Sequence, residues 1–349
     1  MIGRRSVLGG LAALGLSGCV TPKARRSDEV LLFAYFSTGK GEADGLRLAV
    51  SEDGFAFRAL AQGRSLLVPQ VGEKKLMRDP FLFRGDGRHA PWHMVWTTAW
   101  EGVTIGHASS PDLIHWSPQQ AIPVMSSIPG TRNCWAPEAI YDTATGQYQI
   151  FWSSTVKGRF PETAGSSEAG YNHRLWRTTT RDFQTFDAPS LLYDPGFSVI
   201  DGTFARAPDG ALYLIVKDET LKPLRKTLHI AKAQGPAGPF GPLSPALTAP
   251  WVEGPMTANI DARTICYYDI YREGRWGAMA TSDFTTWEDV SAQLSMPTGA
   301  RHGSLLWVSR ATADAIEATC RNPLGEVAHE STDTISRSTK LHRCARATI

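Results

Sequence analysis

Four acidic residues stand in short phrases that share a rhythm: Arg78-Asp79-Pro80-Phe81, Trp135-Ala136-Pro137-Glu138, Ile200-Asp201-Gly202-Thr203 and Val252-Glu253-Gly254-Pro255. Each phrase opens a short apolar stretch, so one carboxylate marks each opening. Carboxylates held at different proton affinities divide the work of acid–base catalysis, one giving a proton and one taking it. Any one of the four is equally well explained as a turn cap at the top of a strand. Four together are not, because a buried acid is costly unless it is paired or functional. Trp100, Arg132, Asn133 and Trp135 lie near the same openings and are types that stack on a ring or hydrogen-bond a polar ligand, although a tryptophan is as often core as platform.

The elements that must position these acids show in a second repeat. Ser51-Glu52-Asp53-Gly54-Phe55, Ser110-Pro111-Asp112-Leu113-Ile114-His115-Trp116, Arg181-Asp182-Phe183-Gln184-Thr185-Phe186 and Ser282-Asp283-Phe284-Thr285-Thr286-Trp287 are turns that close on an aromatic residue, and Ala237-Gly238-Pro239-Phe240 is a degenerate fifth copy. Each is preceded by short strands, four to a unit, at a period of roughly 50 to 60 residues, slightly above the usual length of a propeller blade. The fold class is therefore all-β, a five-bladed β-propeller over residues 31–309, with a β-sandwich as the alternative. The first unit has only three strands, Leu31 to Phe36, Gly45 to Val50 and Phe55 to Leu60. Gly303 to Val308 supplies the fourth, which predicts ring closure between the N- and C-terminal strands and removes the open sheet edges. The starts of the innermost strands then face one another across a central funnel.

With 36 basic against 34 acidic residues and no long run of either sign, the chain has no footprint for nucleic acid. A neutral small molecule or sugar is the better partner. Residues 1–19 read as an export signal: Arg4 and Arg5 precede an apolar run, and Leu16-Ser17-Gly18-Cys19 resembles a lipobox behind a twin-arginine signal. The expectation is an exported, periplasmic or surface-tethered lipoprotein with a lipid at Cys19 as its membrane attachment, the alternative being an ordinary secretory signal whose cysteine is incidental; a linker over 20–30 follows. Residues 310–349 are polar and read as a mostly disordered tail. The cysteine spacing matches no zinc pattern, and Cys134 and Cys266 are expected as buried free thiols.

Taken in order, Arg78-Asp79-Pro80, Trp135-Ala136-Pro137-Glu138, Ile200-Asp201 with the Asp209-Gly210 turn, Glu253-Gly254-Pro255 and Arg301-His302-Gly303-Ser304 resemble glycoside hydrolase family 43, from about Leu31 to Arg310. The resemblance implies an inverting glycosidase with Asp79 as general base, Asp201 as the residue that tunes and orients the acid, and Glu253 as general acid. Inversion asks one carboxylate to activate water and one carboxylic acid to protonate the leaving oxygen. Asp201 is then expected to raise the Glu253 pKa, and Arg78 to keep Asp79 ionised. The family usually has proline after the tuning aspartate, where this chain has Gly202. By the same resemblance Glu138 shapes the substrate pocket and His302 lies in the central channel, where a calcium ion is possible but no acidic run resembles a calcium loop. Arg78, Trp100, Asn133, Trp135, Glu138, His173 and His302 form the expected binding set. His173 belongs to Asn172-His173-Arg174, after the long Lys157–Gly170 loop; a loop of that length over a funnel predicts a pocket closed at one end and exo action. No cofactor or metal is required, and a monomer is expected. α-L-Arabinofuranosides lead the substrates, with β-xylosides and galactan or galactofuranosides close behind. A propeller phosphorylase and a non-catalytic glycan-binding propeller are the rival functions.

Overall fold

The repeated turn phrase has one local explanation. In the first unit the Asp53 carboxylate accepts the backbone N–H groups of Phe55 and Ala56, and Ser51 Oγ accepts that of Gly54. Asp112 with Ser110, Asp182 with Thr180 and Asp283 with Thr281 repeat the arrangement. Such Asx turns satisfy the backbone locally and tolerate a left-handed residue, here Gly54 (φ 82°), Leu113 (φ 68°), Phe183 (φ 57°) and Phe284 (φ 57°). The motif is thus a turn that reverses the chain in four of the five blades, and its aspartates are structural.

The computed structural model describes residues 28–37, 45–87 and 89–321. The expected signal, Cys19, most of the 20–30 linker and the end of the polar tail lie outside the described residues. Five antiparallel sheets form the blades of a propeller. Blade one pairs Ala300–Ser309 with Glu29–Ser37, Arg47–Ser51 and Phe57–Ala59, so the last strand closes the ring against the first. Blade two runs through Arg78–Arg84, Trp92–Thr97, Ile105–Ser110 and Gln120–Ile122, and blade three through Trp135–Asp142, Gln147–Thr155, His173–Thr180 and Ser190–Tyr193. Blade five holds Glu253–Ile260, Arg263–Ile270, Arg275–Thr281 and Glu288–Asp289.

Blade four departs from the expected four strands. It has Val199–Arg206, Leu212–Asp218 and Leu228–Ala233, and its outer edge is reduced to one bridge between Ala233 and Phe240. Pro236, Pro239, Pro242, Pro245 and Pro250 follow in sequence, and a residue without N–H cannot extend a ladder. The polar tail also differs from expectation at its start, where Arg310–Arg321 is a helix. Ala313 and Ile316, three apart on one helix face, are buried with Val30, Leu46 and Leu60 of blade one. Apolar side chains interleave between adjacent blades, as where Trp96 of blade two meets Val308 of blade one in a common cluster. Cys134 and Cys266 are free and buried, as the sequence indicates.

Candidate active site

Near its start each innermost strand slips register with its neighbour at the same place in every blade. Pairing skips between Arg78 and Phe81, Trp135 and Glu138, Ile200 and Thr203, and Glu253 and Met256, and in blade one between Arg301 and Gly303. A bulge of this kind inserts one residue and re-aims the side chains around it. Around the ring the first bulge residues are Arg301, Arg78, Trp135, Ile200 and Glu253; the second are His302, Asp79, Ala136, Asp201 and Gly254. In four blades the second residue is left-handed, with φ 51° at Asp79, 45° at Ala136, 51° at Asp201 and 60° at Gly254. Each non-glycine held this way costs about 1–3 kcal/mol and persists because its surroundings over-determine it. The third slot holds proline in three blades and Gly202 in blade four, so the glycine replaces a proline without moving Asp201 out of its place.

A supporting ring lies behind this one. The second strand of each blade carries, in register with the first bulge residue, Phe36, Thr97, Ser153, Lys217 or Asp269. Each of these grips the bulge of the next blade. The Arg78 guanidinium lies 4.3 Å over the Phe36 ring. Thr97 Oγ1 accepts the Ala136 N–H at 2.8 Å and donates to Asp79 Oδ2 at 2.8 Å. Ser153 Oγ accepts the Asp201 N–H at 3.2 Å, Lys217 Nζ donates to Glu253 Oε2 at 3.2 Å, and Asp269 accepts from Arg301 Nε. The blades therefore hold one another's site residues in sequence around the funnel.

The result is a pocket of about 240 Å³ lined by eight of the ten expected residues, Arg78, Asp79, Trp100, Trp135, His173, Asp201, Glu253 and His302. The remaining two do not line it. Asn133 is wholly buried, donating to Ser153 O and accepting the Thr155 N–H, and so staples the first two strands of blade three. Glu138 is fourth in its phrase, not second, so strand alternation carries it down the channel behind the pocket, where it faces His302, Thr203 and Asp201. The four acids that look equivalent in sequence occupy three different slots: Asp79 and Asp201 the second, Glu253 the first, Glu138 the fourth.

The long loop walls the pocket through Glu168, Ala169 and Tyr171. It is pinned there by the Leu221 and Lys222 N–H groups on Ser166 O and by Ser167 Oγ on Glu219 O. Trp100, 54% exposed, stands at the rim, edge-on to Trp135 and 4.5 Å from the Arg78 guanidinium, which it clamps against Phe36. His173 is buried, stacked on Tyr171 with its centroid at 5.0 Å, and neither ring nitrogen has a partner. Sequence reasoning missed Thr97, Tyr171, Lys217 and Glu219. For Thr97 and Lys217 the available signal was a polar residue near the end of an apolar second strand at the same register in four of the five blades, as in Leu-Tyr-Leu-Ile-Val-Lys217.

Charge is distributed unequally over the acids. Burial pushes Asp79 up, but the hydrogen bond and charge of His302, with Arg78 and Thr97, bring it below the ordinary carboxylate range. Burial raises Asp201 to about 6, with Glu253 and Asp79 adding to it against His302 and Lys217. Burial also raises Glu253, yet Lys217 and Arg301 outweigh it and leave the carboxyl below its usual value. This reverses the expectation for the pair: in the ligand-free pocket Asp201, not Glu253, is the member with raised affinity for a proton, because two cations sit on Glu253. Burial alone would depress His302, but Asp79, Asp201 and Glu138 raise it to about 9. His302 Nδ1 is 3.4 Å from Asp79 Oδ1. Gly254 makes room for it, since a Cβ there would fall 2.5 Å from His302 Cγ.

The channel residues do not fit the calcium ion that the resemblance allows. Among the described residues no group of three or more His, Cys, Asp and Glu side chains is disposed to hold a metal. The position between Asp79, Asp201 and Glu138 is taken by the His302 imidazolium, and calcium asks for oxygen donors.

A family model described as "Probable glycosyl hydrolase domain" matches residues 28–314. An α-L-arabinofuranosidase of Bifidobacterium longum subsp. longum is 26% identical over 201 residues, which is 51% of this chain and 18% of that protein's length. Among solved structures, a thermostable family-43 glycoside hydrolase superposes with a TM-score of 0.53 at 15% identity, covering 67% of this chain and 80% of the other.

Proposed function

We propose that the chain, which belongs to the glycosyl hydrolase domain family allied to glycoside hydrolase family 43, is a glycosidase, and that it is an inverting exo-enzyme that removes terminal furanosyl residues, α-L-arabinofuranosyl first among them. One observation carries the proposal: a pocket of about 240 Å³, room for a single sugar ring, has Asp79 and Glu253 in its lining from blades that are not neighbours, with the pinned 157–170 loop across one side. Asp79, kept ionised by His302, Arg78 and Thr97, takes the proton of the attacking water. Glu253 reaches the pocket with 27% of its side chain exposed and gives a proton to the leaving oxygen. Asp201 is oriented by the Gly254 N–H, which donates to its Oδ2 at 3.0 Å, and couples electrostatically to Glu253. A wall across one side of the pocket favours chain ends over internal positions, and the exposed Trp100 offers a stacking face to the next sugar. The likeness to an α-L-arabinofuranosidase over half of the chain supports that sugar before β-xylosides or galactofuranosides.

A phosphorylase needs cations free to hold phosphate. Arg301 is engaged by Asp269 and Glu253, Arg132 by Glu101, and Arg78, the third cation at the funnel, is clamped between the Phe36 and Trp100 rings, which argues for water as the acceptor. The test is hydrolysis of aryl α-L-arabinofuranoside, β-D-xyloside and β-D-galactofuranoside by the wild type, Glu253→Ala and Asp79→Ala, with NMR of the first anomer formed. Loss in both variants and an inverted product are expected. A retained anomer would overturn the mechanism, and binding of a glycan without cleavage would replace the enzyme with a glycan-binding propeller.

A further inference from the structure

Lys217 is 1% exposed, and its ammonium lies between two pocket carboxylates, 2.8 Å from Glu219 Oε2 and 3.2 Å from Glu253 Oε2. It also sits 5.0 Å over the Tyr271 ring. Glu219 pairs in turn with Lys226, which reaches Glu168 of the loop wall at 3.6 Å. Charges thus alternate from the loop to the floor through Glu168, Lys226, Glu219, Lys217, Glu253, Arg301 and Asp269. The groups that face Glu253 are Lys217 and Asp201 from blade four, Arg301 and His302 from blade one, and Asp269 and Tyr271 from its own blade.

Both oxygens of Glu253 are occupied, Oε1 by Arg301 Nη2 at 3.1 Å and Oε2 by Lys217. A proton donor must be protonated within hydrogen-bond reach of the leaving oxygen, and two cations on the carboxyl hold it ionised, so withdrawal of one of them favours the acid form. Arg301 is anchored a second time through Nε on Asp269. Lys217 has a second carboxylate already within reach, and an ammonium on a flexible stem exchanges partners by rotation, where a guanidinium fork does not.

We propose that Lys217 is a positioning residue that holds Glu253 ionised while the pocket is empty and passes its ammonium wholly to Glu219 when a sugar enters, so that the proton donor forms only in the complex. Glu253 takes up one proton from solvent as the ammonium leaves, and that proton goes to the glycosidic oxygen as the bond breaks. The proposal rests on Glu253 being the acid of the glycosidase described above.

The experiment has two arms, on wild type, Lys217→Met and Glu219→Gln. In the ligand-free proteins, ¹³C-carboxyl-labelled glutamate is titrated by NMR, with the Glu253 signal assigned through Glu253→Gln. Expected are an upward shift of the Glu253 midpoint by about one unit or more in Lys217→Met and a downward shift in Glu219→Gln, where Lys217 is left with Glu253 alone. In the kinetic arm, the wild-type basic limb of kcat lies at higher pH than that of kcat/KM, and the two limbs merge in Lys217→Met. Opposite shifts in two variants are not produced by a merely structural lysine, and Glu219→Gln keeps the test open if Lys217→Met does not fold. An unmoved Glu253 midpoint, or coincident wild-type limbs, overturns the proposal. Titration as expected in a protein that hydrolyses nothing overturns the glycosidase function and the transfer step with it, and leaves only the resting pair supported.

Discussion

Replacing Thr97 by valine keeps the shape of a residue that is 1% exposed and removes a hydroxyl on which two blades meet. Two bonds go with it, the 2.8 Å donation to Asp79 Oδ2 and the 2.8 Å acceptance from the Ala136 N–H. A bond to a charged group is worth about 1.5–3 kcal/mol and a buried N–H left unsatisfied costs about 1–3 kcal/mol, so Thr97→Val should lose about 2.5–6 kcal/mol at pH 7. For a domain of this size that is a fall of about 4–10 °C in melting temperature. Thr97 is one of the groups holding Asp79 below the carboxylate range, and a depressed folded-state pKa contributes stability that is present above the unfolded value and is lost as pH falls through the folded one. The Thr97→Val penalty should therefore shrink in acid, and the acid limb of kcat/KM, which reports ionisation of the base, should move to higher pH. Urea denaturation at pH 7 and pH 3 and a pH–rate profile measure both, with Thr97→Ser as the control that restores the hydroxyl. A cost under about 0.5 kcal/mol at pH 7, an acid limb that stays where it was, or serine behaving like valine would refute the idea that this hydroxyl couples the blades to the base.

Gly254→Ala puts a methyl 2.5 Å from His302 Cγ at a residue with φ 60°. Left-handed strain of about 1–2 kcal/mol and overpacking of about 1–3 kcal/mol should destabilise the protein and push His302 off Asp79, seen as a lower melting temperature with loss of activity; an unchanged melt would count against the close approach. Glu138, raised by burial to about 8, binds its proton in the folded state at pH values where the unfolded chain has already released it. Its contribution is therefore complete below pH 4.5 and is lost as pH rises toward 8. Glu138→Gln should flatten that slope and gain about 1 kcal/mol or more at pH 8 relative to pH 5 in denaturation curves, and an unchanged slope would mean that Glu138 is already ionised in the folded protein.

Much of this protein is determined locally and so could be read along the chain. The Ser/Thr-x-Asp turns satisfy their own backbone within a few residues, so their recurrence marked the blades and showed that Gly303 to Val308 completes the first. Asp79, Asp201 and Glu253 stood out because acids opening buried strands need a reason, and the structure brings all three to one pocket. What depended on register was not legible. A single inserted residue per inner strand decides that Asp79 and Asp201 share a slot, that Glu253 sits one residue earlier and that Glu138 points down the channel. Asn133 became a staple of blade three because strand pairing turned its amide onto Ser153 and Thr155. The tail that reads as polar begins as a helix because Ala313 and Ile316 find blade one beneath them. The charge state of Glu253 was the furthest from reach. Lys217 and Arg301 lie 36 and 48 residues away in the chain, and only closure of the ring places both cations on one carboxylate, where proximity in a poorly solvated pocket outweighs burial.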